Sequence, residues 1–160
     1  MKDSDKTAKY IFSYDFPIGQ LFIAEAREAI TDVGFRVVDG ALIKETPLIK
    51  RAAEMLKEYF YHGRRDFDGL PLNAEGTEFQ KKAWAALLTI PYGETRSYKE
   101  QAEAVGNIKA CRAVGAANGK NPISIIIPCH RVIGADKSLT GYGGGLDIKK
   151  ALLILEQSAL

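Results

Sequence analysis

Short runs rich in β-branched and aromatic residues open the chain, and helical spacing takes over further on. Tyr10-Ile11-Phe12-Ser13-Tyr14 and Gln20-Leu21-Phe22-Ile23-Ala24 flank Pro17-Ile18-Gly19, the pattern of two strands joined by a short turn. Ile30 through Phe35 predicts a third strand, and so an antiparallel meander. Pro47 stands where a first helical turn tolerates proline. Leu48, Ile49, Ala52, Met55, Leu56, Tyr59 and Phe60 then recur at helical spacing, predicting an amphipathic helix over one face of the sheet. His62 reads as a cation at the end of that helix. Gly63 through Leu72 is irregular, and the domain boundary is expected at 73–76.

Thr77 and Gln80 form a capping-box pattern ahead of Phe79, Ala83, Trp84, Leu87 and Leu88, a helix that stops before Pro91-Tyr92-Gly93. Trp84 is assigned to the core. Ser97 and Glu100 repeat the pattern for a short helix to about Val105. Gly106-Asn107-Ile108 turns the chain, and Lys109 to Asn118 makes another helix ended by Gly119. Two short helices across a glycine-containing turn are a helix-turn-helix pattern. The second helix, Ala110-Cys111-Arg112-Ala113-Val114-Gly115-Ala116-Ala117-Asn118, is almost all small residues with one arginine. An interior glycine costs a helix up to about 1 kcal/mol, so the slimness has a reason. It serves either close packing against another helix or entry into a narrow groove.

Ile125-Ile126-Ile127 predicts a buried strand, stopped by Pro128 and followed by Cys129-His130-Arg131 and the apolar Val132-Ile133. A thiol attacks only as thiolate, and the adjacent histidine and arginine offer a base and a positive field. The same residue type also serves as a small buried hydrophobe. Gly141 to Gly145 predicts a flexible loop. A final helix, about Ile148–Gln157, brings Glu156, which gives a candidate Cys129-His130-Glu156 triad.

Composition narrows the classes. The 160 residues are 46% hydrophobic, enough for a real core, with no run long enough to span a membrane and no signal-peptide pattern in Met1–Lys6. The protein is therefore expected to be soluble and cytoplasmic. Cys111, Cys129, His62 and His130 are its complete set of cysteines and histidines, without metal-ligand spacing, so no metal is expected and both thiols are taken as free. Residues 1–76 carry 11 Lys+Arg against 13 Asp+Glu, a net −2, whereas residues 77–160 carry 11 against 7, a net +4. The basic half holds the Cys-His stretch, which is compatible with a polyanionic partner.

These motifs together resemble the O6-alkylguanine-DNA alkyltransferases, the methylated-DNA–protein-cysteine methyltransferases. The resemblance rests on Gly76-Thr77-Glu78-Phe79-Gln80, Ile90-Pro91-Tyr92-Gly93, Ser97-Tyr98, Arg112-Ala113-Val114-Gly115, Asn121-Pro122, Ile127 through Gly134 and Leu139-Thr140-Gly141-Tyr142. It covers residues 76–160. It implies an α+β protein: an N-terminal ribonuclease-H-like domain (1–75) with a small antiparallel sheet and a helix, then a mostly helical domain (76–160) with a winged helix-turn-helix. Cys129 would accept the alkyl group irreversibly, His130 would take its proton through a water, and Glu156 would polarise the histidine. Asn121 would brace the turn before the cysteine. Tyr98 would press on the 3′ phosphate and protonate the guanine. Arg112 would replace the flipped base, with Ala113, Gly115, Ala116 and Arg131 also on DNA. Val132, Tyr142 and Gly143 would hold the base. The implied partner is double-stranded DNA containing O6-alkylguanine, read by a monomer with no cofactor, membrane or obligatory protein partner.

Ile108 stands where the family often has proline, and Cys111 where it often has alanine. The zinc-binding cysteines of some relatives are absent. Non-repairing alkyltransferase-like proteins replace the acceptor cysteine, which Cys129 here retains. Other functional classes have their own signatures. A lesion sensor would bind alkylated DNA without transfer, a Cys-His-Glu hydrolase would turn over an ester, and a DNA-binding regulator would need more base-reading side chains than this helix has.

Overall fold

A computed structural model describes residues 8–136, 138, 142 and 144–159. The chain divides into two compact units, Met1–Ala74 and Glu75–Leu160.

In the first unit, β1 (Lys9–Phe16), β2 (Gly19–Ala26) and β3 (Ala29–Gly34) form the expected antiparallel meander. Both hairpins turn in two residues. The second uses Arg27 and Glu28, each with positive φ (53° and 63°), the backbone such tight turns need. Neither is the glycine or asparagine that would have marked the turn in sequence. A fourth strand, β4 (Leu42–Ile43), was not foreseen: it pairs in parallel with β1, giving the order β3-β2-β1-β4. Helix α1 (Pro47–Tyr61) starts at Thr46, whose hydroxyl accepts the Ile49 amide at 3.1 Å, and lays Ile49, Ala52, Leu56 and Tyr59 on the sheet. His62 is its C-cap.

Among its described residues the second unit holds four α-helices, α2 (Glu78–Leu87), α3 (Tyr98–Ala104), α4 (Cys111–Gly119) and α5 (Leu146–Ser158), with two short strands, β5 (Arg96–Ser97) and β6 (Val132–Ile133). Both capping boxes are formed, Thr77 with Gln80 and Ser97 with Glu100. Gly76 precedes the first because a Cβ there would lie 2.5 Å from the Trp84 ring. Trp84 is core, and its Nε1 donates to the Ala117 carbonyl at 2.8 Å. Helices α3 and α4 are the helix-turn-helix, packed through Ala83, Ala102, Ala110, Val114 and Ala117. β5 pairs in parallel with β6, setting Ser97 opposite Ile133 and so tying the start of α3 to the segment just after the cysteine. Among the described residues no helix is long and apolar enough to cross a membrane.

One expected element is absent. Ile125-Ile126-Ile127 is not a strand but a tight reversal, closed by Ile127 N–H donating to the Ile123 carbonyl at 3.0 Å. Ile125 has φ of 72°, a left-handed conformation that costs a β-branched residue about 1–3 kcal/mol. Burial of Ile123, Ile125, Ile126 and Ile127 outweighs the local strand preference.

Candidate active site

The isoleucine reversal delivers Cys129 into a single 3₁₀ turn, Cys129–Arg131, in which all three side chains are buried. Asn121 organises the approach: its Nδ2 donates to the Ile127 carbonyl at 2.8 Å and its Oδ1 accepts the Ile123 amide at 3.0 Å. Its side chain is also close enough to the Cys129 sulfur to pull the thiol pKa down. One asparagine thus spans the reversal from both sides and reaches the thiol.

His130 is fully buried, and its Nε2 lies 2.7 Å from Oε2 of Glu156, itself only 1% exposed. Burial pushes the His130 pKa down, against the hydrogen bond and charge of Glu156 and with the repulsion of Arg131 and Lys149. For Glu156, burial pushes the pKa up, but His130 and Arg131 outweigh it and hold the carboxyl at about 2. At neutral pH the pair is a carboxylate and a neutral imidazole. A carboxylate only accepts, so Nε2 carries the proton and Nδ1 is left as a base. Nδ1 is buried and has no hydrogen-bond partner in the protein among the described residues. The triad's second and third members are therefore joined, and the base nitrogen is the one not turned to the acid.

Burial raises the Cys129 pKa, and the Asn121 side chain and the Lys149 charge pull it back only in part. The resting group is a thiol, to be activated when its proton has somewhere to go. Lys149 escaped the sequence reading. It lies on α5 with Leu152 and Glu156, at spacings that share a buried face, and its Nζ donates to the Val132 carbonyl at 2.6 Å. Burial lowers its pKa, and the Cys129 sulfur works the other way. A lysine between leucine-rich positions of an amphipathic helix carried no signal of burial.

Arg131 corrects an expectation. The resemblance implies a DNA contact for it, but its side chain is buried and its bonded donors face inward. Nε donates to Glu156 Oε1 at 2.9 Å, Nη2 to Oε2 at 3.1 Å and Nη1 to the Ile90 carbonyl at 2.7 Å. Three of its five N–H donors are taken up inside the protein, and the residue is only 7% exposed. Val132 is buried, with its carbonyl already facing Lys149. Tyr142 is close enough to Cys129 for burial, aided by that sulfur, to push its phenol far above its usual range, and its buried hydroxyl has no hydrogen-bond partner among the described residues. It therefore stays a neutral hydroxyl. Gly143 lies outside the described residues, as do Leu139, Thr140 and Gly141.

The helix-turn-helix presents Arg112, Ala113 and Ala116 outward, all exposed, with Val114 and Ala117 turned in. Gly115 decides between the two reasons for a slim helix. A Cβ there would meet the Tyr98 ring at 3.6 Å, an ordinary contact. Internal packing does not require glycine, so its helix cost of about 1 kcal/mol is left to be explained from outside the helix. Tyr98, the first residue of α3, packs under that spot and is partly exposed.

A helix-turn-helix with a slim second helix, in the same compact unit as a buried Cys129 followed by the His130–Glu156 pair, points to a DNA-binding protein with a cysteine nucleophile. Comparison with known proteins gives the same class. Residues 78–158 match the family model described as 6-O-methylguanine DNA methyltransferase, DNA binding domain. A methylated-DNA–protein-cysteine methyltransferase of Methanosarcina acetivorans is 47% identical over 155 residues, covering 93% of this chain and 99% of that protein. The constitutive enzyme of Bacillus subtilis is 45% identical over 158 residues, covering 92% and 95%. A crystal structure of Mycobacterium tuberculosis OGT in complex with DNA superposes with a TM-score of 0.87 at 46% identity, covering 94% of each chain. The chain belongs to the methylated-DNA–protein-cysteine methyltransferases, and DNA is its partner.

Proposed function

We propose that the protein repairs O6-alkylguanine in double-stranded DNA by moving the alkyl group to Cys129, once per molecule and without a cofactor. The observation that carries this reading is the His130–Glu156 pair, which leaves a buried, unprotonated Nδ1 on the residue that directly follows the buried Cys129. The exposed face of α4 enters the minor groove, and the damaged nucleotide is flipped out of the stack, as chemistry on a base atom inside a duplex requires. Arg112 takes the vacated place, and Tyr98 turns the nucleotide.

The thiol proton passes through a water to His130 Nδ1, and the imidazolium is stabilised by Glu156. The sulfur then attacks the alkyl carbon in line. The S–C bond forms as the C–O6 bond breaks, and its electron pair goes to the guanine. Tyr98 supplies a proton to the departing base, which leaves as ordinary guanine. Asn121 and Lys149 stabilise the developing thiolate. Thioethers resist water, so the protein is consumed. The protein works as a monomer in the cytoplasm, where it meets DNA.

Intact mass after incubation with a duplex carrying O6-methylguanine tests this. The expected result is a gain of one methyl group, saturating at one per protein and lost in Cys129→Ala. Binding without a gain would replace transfer by lesion sensing.

A further inference from the structure

Between α3 and α4 lies a polar contact that the proposed chemistry does not use. Gln101 and Asn118, 2% and 5% exposed, bond reciprocally: Gln101 Nε2 donates to Asn118 Oδ1 and Asn118 Nδ2 donates to Gln101 Oε1, each at 2.8 Å. Gln101 Nε2 also donates to the Ala83 carbonyl on α2 at 3.1 Å, next to the Trp84 bond to Ala117. The amides close a ring across the two helices and hold both to α2.

The apolar contact around this ring is made mostly of alanines: Ala83, Ala102, Ala110 and Ala117, with Val114. Methyl groups interdigitate little, so such a contact favours close approach but specifies sliding and rotation weakly. Hydrogen bonds between two side-chain amides hold only over a few tenths of an ångström and a narrow angular range, so they supply the missing register. The outer face of α4 adds no correction, because Ala113, Gly115 and Ala116 offer nothing long enough to grip a groove. Tyr98 begins α3 one turn before Gln101, and Arg112 lies in the first turn of α4, six residues before Asn118.

We infer that the Gln101–Asn118 pair is a positioning device for repair, fixing α4 on α3 so that Arg112 and Tyr98 act on one and the same nucleotide step. This rests on the function proposed above. The pair touches neither DNA nor the reacting atoms; it acts through the placement of the two helices.

The test is Gln101→Leu/Asn118→Leu, which removes the ring without leaving a buried amide unpaired. Two rates are compared: methyl transfer from O6-methylguanine in a duplex at saturating DNA, and methylation of Cys129 by iodomethane, which needs no helix placement. Duplex transfer is expected to fall by about tenfold to a hundredfold, with iodomethane reactivity and thermal melting near wild type. The swapped variant Gln101→Asn/Asn118→Gln keeps the summed reach of the two side chains and is expected to recover most of the duplex rate. Should the leucine pair not fold, Gln101→Met/Asn118→Leu carries the same comparison. An unchanged duplex rate, or equal loss of both rates, would overturn the inference. A wild-type protein that transfers nothing from DNA would instead overturn the proposed function.

Discussion

His130 and Arg131, neighbours in one 3₁₀ turn, converge on a single carboxylate: His130 Nε2 lies 2.7 Å and Arg131 Nη2 3.1 Å from the same Oε2 of Glu156. The histidine and the arginine together hold the acid ionised at neutral pH, and the ionised acid fixes the histidine tautomer. Glu156→Gln is therefore expected to strike twice. Leaving Arg131 buried without its counter-charge should cost about 3–5 kcal/mol. Losing the oriented imidazole should slow transfer by about 10²–10⁴-fold. Thermal unfolding and single-turnover rates measure both; a stable, fully active variant would contradict the relay.

The same pair sets acid sensitivity. The folded Glu156 pKa lies near 2, below the ordinary carboxyl value of 4.5, so its contribution is present above pH 4.5 and is lost as pH falls toward 2. The folded His130 pKa is also lowered, so the unfolded chain takes up a proton first as pH falls through 6.5, which again favours unfolding. Both act in one direction. Stability should decline from pH 6.5 downward and more steeply below 4.5, with Glu156→Gln flattening the lower limb in denaturant titrations.

Lys149→Met keeps the aliphatic stem and removes the charge near Cys129. Thiol alkylation should move to higher pH and slow severalfold at neutral pH, because the thiolate loses the cation that favours it. Iodomethane alkylation rates across pH report it. An unshifted profile would mean that the lysine only holds the Val132 carbonyl.

Gly115→Ala separates stability from binding. The added methyl meets Tyr98 at ordinary contact distance, so melting should rise, by about 0.5–1 kcal/mol in stability. Affinity for duplex DNA should fall, and Ala116→Leu, on the exposed face, should lower it further. Fluorescence anisotropy with a labelled duplex measures this. Unchanged affinity in both would remove α4 from the groove.

Much of this was legible in sequence. Thr77/Gln80 and Ser97/Glu100 placed two helix starts because capping is local chemistry, and Asn121, Cys129, His130 and Glu156 came from residue type and motif. What escaped was long-range. Ile125 reads as strand, yet burial forces it into a left-handed turn. Arg131 reads as a DNA contact, yet its partner Glu156 is 25 residues away. The Lys149 position and the Gln101–Asn118 ring depend on which helix faces meet, which periodicity alone does not specify. Arg27-Glu28 turn without glycine because the paired strands impose the geometry.

The central claim is that one buried thiol, Cys129, is the acceptor. Peptide mapping after reaction with duplex O6-methylguanine tests it most directly, since the chain has one other cysteine, the partly exposed Cys111. The account predicts S-methylation confined to the peptide containing Cys129, in step with guanine restored in the DNA. Methyl on Cys111, or guanine restored without methyl on Cys129, would contradict it.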